Sequence, residues 1–463
     1  MTASQVPVSA SPPESPAQRR REQRGWYFYD WANSAYVTTV GTVILGPYLT
    51  RVAERAACGQ PGTADNPCLT DLHVLGVPIA PGSLVFYVVT ASTLLSALLL
   101  PIVGAFADRS GSKRTHLLAY AVAGAAAAAL LFLVTGDRWA LGAILQFVAN
   151  LCLGASLVVY DAILVDIAEP DERDHVSTRG WALGYLGGGL LLAVNLVLVE
   201  GASTFGISGE MAARISLCSA GVWWGAFSLI PFFALRDRPP IHPVAGRGGI
   251  GHGFRQLWVT LKDLRRFPMT LTFLLAYLFF NDGVQTVISA AAIYGDRQLG
   301  LSQSILIATI LLVQFVAFGG ALLFGRFAKR YGSHRVILMS LVVWVGVVCA
   351  AFFLPAGKVL PFLALAVVIG LVLGGTQALA RSFYSLLIPR GREAEYFSLY
   401  QACERGTSWS GTLVFGVVHQ LTHSYRPAII SLVIFFVLGF LLLRRVDPAR
   451  TMLEAGNQPP AVV

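Results

Sequence analysis

The stretch Gly104-Ala-Phe-Ala-Asp-Arg-Ser-Gly-Ser-Lys-Arg114 decides how the chain is read, because it returns as Gly325-Arg-Phe-Ala-Lys-Arg-Tyr-Gly-Ser-His-Arg335. Seven of the eleven residues match in register, at an offset of 221 residues. Each copy lies between two apolar runs of about 20 residues, the length that crosses hydrocarbon. A turn that only had to keep basic charge on one side of a membrane would not need to repeat so closely. The pattern predicts two homologous membrane halves.

A short basic turn of the form G-x-x-x-D-R-x-G-x-K-R after the second helix, echoed after the eighth, resembles the signature loop of the major facilitator superfamily. The first copy keeps Asp108; the second carries Lys329 in its place. The resemblance implies that Gly104, Asp108, Arg109, Gly111 and Arg114 form a conformational switch. It also implies that Asp108 caps the start of the eleventh helix in one conformer, where a carboxylate meets the positive end of a helix dipole.

Composition agrees with a membrane protein. Of 463 residues, 55% are hydrophobic and only 13% charged, far from the soluble average. Twelve spans fit, at 26–49, 82–106, 115–135, 138–163, 180–199, 212–235, 268–294, 303–324, 336–354, 360–385, 396–420 and 426–443. The expected fold is an all-α polytopic membrane protein of the major facilitator type, with two pseudo-symmetric six-helix bundles at 26–235 and 268–445. Residues 1–25, rich in Ser, Pro and Arg, read as a disordered cytosolic tail and not as a signal peptide. Residues 236–267 read as a cytosolic linker and 446–463 as a cytosolic C-terminal tail.

The net charge of +9 is topological and does not point to nucleic acid. Of the 34 Lys and Arg, 26 fall in or at the edge of the tails and even-numbered loops, 7 on the odd-numbered side, and Arg405 lies inside a span. Both termini are therefore expected in the cytoplasm, most simply across a bacterial inner membrane. Cys58 and Cys68 share the long first outer loop, and ten positions apart they are expected to form a disulfide in an oxidising compartment.

Polar residues inside apolar spans are costly and mark candidate sites. In the first span Asp30, Asn33 and Tyr36 recur every three residues, on one helical face; Asp30 also fits an interfacial position. The fourth span carries Gln146, Asn150 and Asp161. The acidic loop Glu169–His175 is either a solvated turn or a latch to the basic Pro389–Arg392 loop of the other half. In the fifth span Gly180, Gly184, Gly187, Gly188 and Gly189 suit close helix packing better than phosphate binding, since no strand precedes them. Asp282, with Gln285 one turn on, falls near the middle of the seventh span, while Gln377 and Arg381 share a face of the tenth. The eleventh carries Glu404 and Arg405. Asp282, Arg381, Glu404 and Arg405 could neutralise one another or a ligand.

The phrases Tyr29-Asp-Trp-Ala-Asn-Ser-Ala, Ser177-Thr-Arg-Gly-Trp-Ala-Leu-Gly-Tyr-Leu-Gly-Gly, Asn281-Asp-Gly-Val-Gln-Thr and Gly374-Gly-Thr-Gln-Ala-Leu-Ala-Arg-Ser resemble the vacuole effluxer family. That family includes fungal vacuolar amino-acid exporters linked to autophagy and their bacterial relatives. The resemblance implies a secondary transporter with alternating access and, for the fungal members, export of neutral amino acids. Ser398 stands where such sequences usually carry Gly, and Ser410-Gly-Thr412 where Gly-Pro is common, so the eleventh helix is expected to differ at its bend. The mid-helix Arg and Gly-Pro patterns of drug–proton antiporters are missing.

The expected substrate-binding set is Asp30, Asn33, Tyr36, Gln146, Asn150, Gln285, Gln377 and Arg381. Arg381 would hold a substrate carboxylate, for which a guanidinium fork is suited. Asp282 would face an ammonium group or serve as the proton-coupling site. A small solute, protons and the bilayer are the expected partners of a monomer, with no cofactor, metal or nucleic acid. Other cargo (lipid, peptide, sugar or drug) and a transport-incompetent receptor or scaffold remain the alternatives. No catalytic residues are expected: Asp161 and Asp166 are five positions apart, about 140° round a helix, a poor dyad.

Overall fold

The computed structural model describes residues 15–62, 68–74, 76–240, 262–406, 408–422 and 424–462. The first crossing consists of α1 (Pro16–Tyr36), a wider-wound segment (Val37–Ile44) and α2 (Leu45–Cys58). Then α3 (Leu84–Ser110), α4 (Lys113–Leu130), α5 (Trp139–Ile167), α6 (Arg173–Glu200) and α7 (Gly209–Ala234) complete the first half. The second half contains α8 (Pro268–Ile293), α9 (Gln303–Tyr331), α10 (Ser333–Phe352) and α11 (Val359–Leu386). Its eleventh crossing is split into α12 (Glu393–Gly406) and α13 (Ser408–Thr422), and its last into α14 (Tyr425–Ser431) and α15 (Val433–Arg444). Among the described residues ten segments are long and apolar enough to cross a membrane. The first and eleventh crossings, both charged, fall outside that ten, and with them the architecture is consistent with twelve.

Side-chain exposure follows the bilayer as solvent: Phe86, Val194, Phe233 and Leu421 point outward, while Glu22, Asp161 and Arg381 are buried. Glycines allow the closest helix approaches. Gly180, Gly184, Gly187 and Gly188 form one face of α6 against α1, where an added β-carbon would sit 2.6 Å from Asp30 Oδ2, 2.7 Å from Ser34 Oγ, 2.7 Å from the Trp31 carbonyl and 2.6 Å from Thr38 Oγ1. The two signature loops reproduce this between halves. A β-carbon on Gly104 of α3 would lie 2.3 Å from the Ala394 carbonyl oxygen of α12, and one on Gly325 of α9 would lie 2.5 Å from Thr178 Oγ1 of α6. Each half thus presses its signature glycine on a helix of the other, as the sequence repeat requires.

Cys58 and Cys68 are joined by a disulfide. The bond ties the end of α2 to a hairpin of β1 (Leu72–Val74) and β2 (Val77–Ile79), paired antiparallel. The tails are more ordered than expected. Residues 16–25 belong to α1, capped by the Ser15 hydroxyl accepting from the Gln18 amide. Arg19 pairs with Glu169 at 3.1 Å, so the acidic loop engages α1. A further helix, α16 (Pro448–Glu454), buries Met452 completely. Beyond it Asn457 Nδ2 donates to the carbonyls of Leu386 and Ile388 (2.9 and 2.7 Å), and the Ala461 amide reaches Asp171 of the first half at 2.7 Å. The C-terminal segment therefore straps one half to the other. Residues 1–14 and most of the expected linker, 241–261, lie outside the described residues.

Candidate substrate path and inter-half latch

The signature loop sits on the face opposite the disulfide, hereafter the basic face. There α3 ends at Gly111, whose positive φ of 64° turns the chain into α4. This turn aims the Asp108 carboxylate at the first turn of α12, where it accepts from the Ala394 and Glu395 amides at 3.0 and 2.9 Å. A carboxylate at that position neutralises unsatisfied N–H groups and the helix dipole together. Lys113 Nζ lies 3.0 Å from Asp166, 3.6 Å from Asp108 and 3.7 Å from Glu393, and so joins both halves. Arg114 pairs with Asp237 at 3.1 Å.

Deeper in, Arg381 of α11 reaches across into the first half. Its Nη2 donates to Asp30 Oδ2 at 3.1 Å, its Nη1 to Asp161 Oδ1 at 3.4 Å and its Nε to Ser177 Oγ at 3.0 Å. The rings of Trp26, Tyr160 and Trp181 surround its guanidinium at 4.8, 5.3 and 5.4 Å. Around it, Ser177 donates to the Ala378 carbonyl, Arg173 to the Ser385 carbonyl and Ser382 to Asp174. These contacts close the basic face. Toward the disulfide face, α13 packs on α8 and α14 of its own half, whereas α12 packs on α3 and α5 of the other.

Above the Arg381 cluster, α12 presents Glu404 and Arg405, both partly exposed. Gln401 links the levels: its Nε2 donates to Asp161 Oδ2 at 2.8 Å and to Glu404 Oε2 at 3.2 Å, and its Oε1 accepts from Arg405 Nε at 3.3 Å. Among the described residues no carboxylate lies within ion-pair distance of Arg405. It lies within electrostatic reach of the Tyr36 and Tyr29 hydroxyls of α1. Tyr36 in turn donates to Asn150 Oδ1 at 2.9 Å, and Asn150 to Ser92 at 3.4 Å. Asp282 stands apart and caps α13: Oδ2 accepts from the Ser410 hydroxyl and, at 2.8 Å, from the Gly411 amide. Its Oδ1 and the neighbouring Thr286 hydroxyl are buried with no hydrogen-bond partner among the described residues.

The family model for "Vacuole effluxer Atg22 like" matches residues 18–456. The chain belongs to the vacuole effluxer family. It is 30% identical to the MFS-type transporter YxiO of Bacillus subtilis, itself described as uncharacterized, over 95% of this chain and 97% of that one. Autophagy-related protein 22 of Yarrowia lipolytica is 27% identical over 83% of this chain and 79% of its own. Among solved structures, the human organic anion transporter MFSD10 superposes with a TM-score of 0.66 at 17% identity, covering 93% of this chain and all of that one. At that identity the likeness concerns the major facilitator fold. This member of the vacuole effluxer family is thus a multi-pass integral membrane protein whose relatives are transporters, and secondary transport of a small solute is its activity class.

The residues expected to bind substrate divide into separate groups. Arg381, expected to hold a substrate carboxylate, has its fork filled by Asp30, Asp161 and Ser177. Asp30 is therefore part of the latch. Asn33 is turned back onto its own helix, donating to the Tyr29 carbonyl at 2.7 Å. Gln377 braces α8, donating to Asn281 Oδ1 at 2.8 Å. Tyr36 and Asn150 form one chain, Gln146 is buried beneath it with Oε1 unpartnered, and Gln285 is partly exposed one turn from Asp282. Of the charges that could have neutralised one another, Arg381 meets neither Asp282 nor Glu404 within ion-pair distance, because α1 and α5 deliver two nearer acids, Asp30 and Asp161. Among the described residues no salt bridge joins the acidic loop to the basic loop; Arg392 pairs with Glu395 and Asp263. The residue that sequence reasoning underweighted is Arg405. Its signal was present, since it was, with Arg381, one of the two cations well inside second-half spans.

Proposed function

We propose that this effluxer exports small amphoteric solutes of the neutral amino-acid class from the cytoplasm, coupled to protons, by alternating access. The observation that carries this reading is Arg405, a partly exposed guanidinium at membrane depth with no carboxylate partner among the described residues and with Glu404 beside it. An unpaired cation there is costly unless a ligand or water meets it. A substrate carboxylate would take the Arg405 fork, and its ammonium would be drawn to Glu404. Tyr36, Asn150 and Gln285 would supply neutral polar contacts.

Basic charge concentrated on the latch face supports a cytoplasmic assignment for that face and for both termini, in a bacterial inner membrane. The conformer described would then be closed to the cytoplasm. Asp282 is the coupling candidate, since a buried carboxyl with one free oxygen can take a proton without breaking its cap on α13. The signature loop around Gly104, Asp108, Arg109, Gly111 and Arg114 would favour the cytoplasm-closed state. The protein would act as a monomer, with no catalytic step.

The test is proton-driven uptake of neutral amino acids in proteoliposomes, with Arg405→Gln and Asp282→Asn. Arg405→Gln should abolish saturable uptake and the thermal stabilisation that ligand gives the wild type. Asp282→Asn should keep the stabilisation and lose the response to a pH gradient. Amino-acid stabilisation unchanged in Arg405→Gln would overturn the substrate assignment.

A further inference from the structure

A polar cavity lies outside the path between the halves. It occupies about 420 Å³ where the first turns of α1 meet the end of α7, and its walls include Gln18, Arg21, Arg114, Phe233, Leu235 and Arg236. Three arginines are thus part of its lining. Arg114 is partly neutralised by Asp237, donates to the Leu235 carbonyl at 3.4 Å and stacks over Phe232. Arg21 and Arg236 pair with no carboxylate among the described residues. The neighbouring acid Glu22 is turned away and held by Arg238 at 2.7 Å.

The rim on one side is apolar and faces lipid. Val222, Leu229, Ile230 and Phe233 are exposed and recur along one face of α7, so the stripe descends from the cavity into the hydrocarbon. Gly25 packs on Ala234, where an added β-carbon would sit 2.2 Å from the Ala234 β-carbon, fixing α1 against α7 and holding the cavity's shape. We propose that this cavity binds the headgroup of an anionic phospholipid, with its acyl chains laid along the α7 stripe. A phosphodiester supplies the negative charge that Arg21 and Arg236 lack, and basic pockets between transmembrane helices suit such headgroups. Arg114 extends the consequence inward. It follows Lys113, so a lipid seated on Arg114 steadies the loop that latches the halves.

The experiment is native mass spectrometry of the full-length protein titrated with phosphatidylglycerol, phosphatidylcholine or inorganic phosphate. It compares wild type with Arg21→Gln/Arg236→Gln and with Arg330→Gln, a basic-face control distant from the cavity. Wild type and control should retain phosphatidylglycerol in preference to phosphatidylcholine. The double variant should bind it roughly 30-fold more weakly, about fivefold per arginine, with an unchanged melting temperature in detergent. Equal retention by the double variant overturns the site. Displacement of the lipid by millimolar phosphate also overturns it, since the cavity would then be a site for free anions.

Discussion

Two arginines lie at membrane depth in the second half, and their neighbours give them opposite tasks. Arg381 is locked by acids 351 and 220 residues away in the chain, while Arg405 hydrogen-bonds Gln401 and has no carboxylate within ion-pair distance among the described residues. Local spacing favoured Arg381 as the ligand-binding residue because Gln377 is one turn away, and no local signal could report partners in the other half. A tally of charge by half would have helped: Asp30 and Asp161 sit in first-half spans that hold no central cation. Removing one member of a buried ion cluster strands the others, at a cost of about 3–5 kcal/mol. Arg381→Gln should therefore lower the melting temperature markedly. Neutralising the stranded acids as well, in Asp30→Asn/Asp161→Asn/Arg381→Gln, should recover much of the loss. A triple variant no more stable than Arg381→Gln would show that the cluster is not what Arg381 stabilises.

At the scale of elements, the eleventh crossing carries the most structural meaning. Its two helices are capped by acids of different origin, α12 by Asp108 from the first half and α13 by Asp282 from the second. Of the two departures noted there, Ser398 and Ser410, the second is a contact of the α13 cap. Sequence could not place Asp282 there, because a midplane acid reads the same whether it meets a helix end, a proton or a ligand. The Asp108 cap exists only while the halves touch at the basic face. Asp108→Asn should remove about 1 kcal/mol from that state, a shift of about fivefold in the ratio of the two conformers. Labelling of single cysteines on each face would report it, and unchanged labelling on both would contradict it.

For the whole molecule, the repeat at Gly104 and Gly325 made the two halves and their pseudo-symmetric contacts legible, because a membrane leaves few ways to bury backbone polar groups. The ordered tails were not legible. The strap after α16 is short, polar and without periodicity, and its order comes from carbonyls at the end of α11 that accept from Asn457. It holds the basic face shut from outside the membrane, so Asn457→Ala should loosen the face without touching the path between the halves. Spin labels across the basic face should then show a larger population of long distances. An unchanged distance distribution would mean that the strap follows the latch and does not hold it.

The Arg381 cluster also has an electrical side. Its guanidinium belongs to one half and its two carboxylates to the other, so parting the halves displaces charge within a thin dielectric across which the cell maintains a voltage. One elementary charge carried through the full drop of 100 mV is worth about 2.3 kcal/mol, and a partial displacement is worth a proportionate share. Whatever part of that separation runs along the membrane normal moves charge through the field, and by that share the resting potential biases how readily the two bundles part.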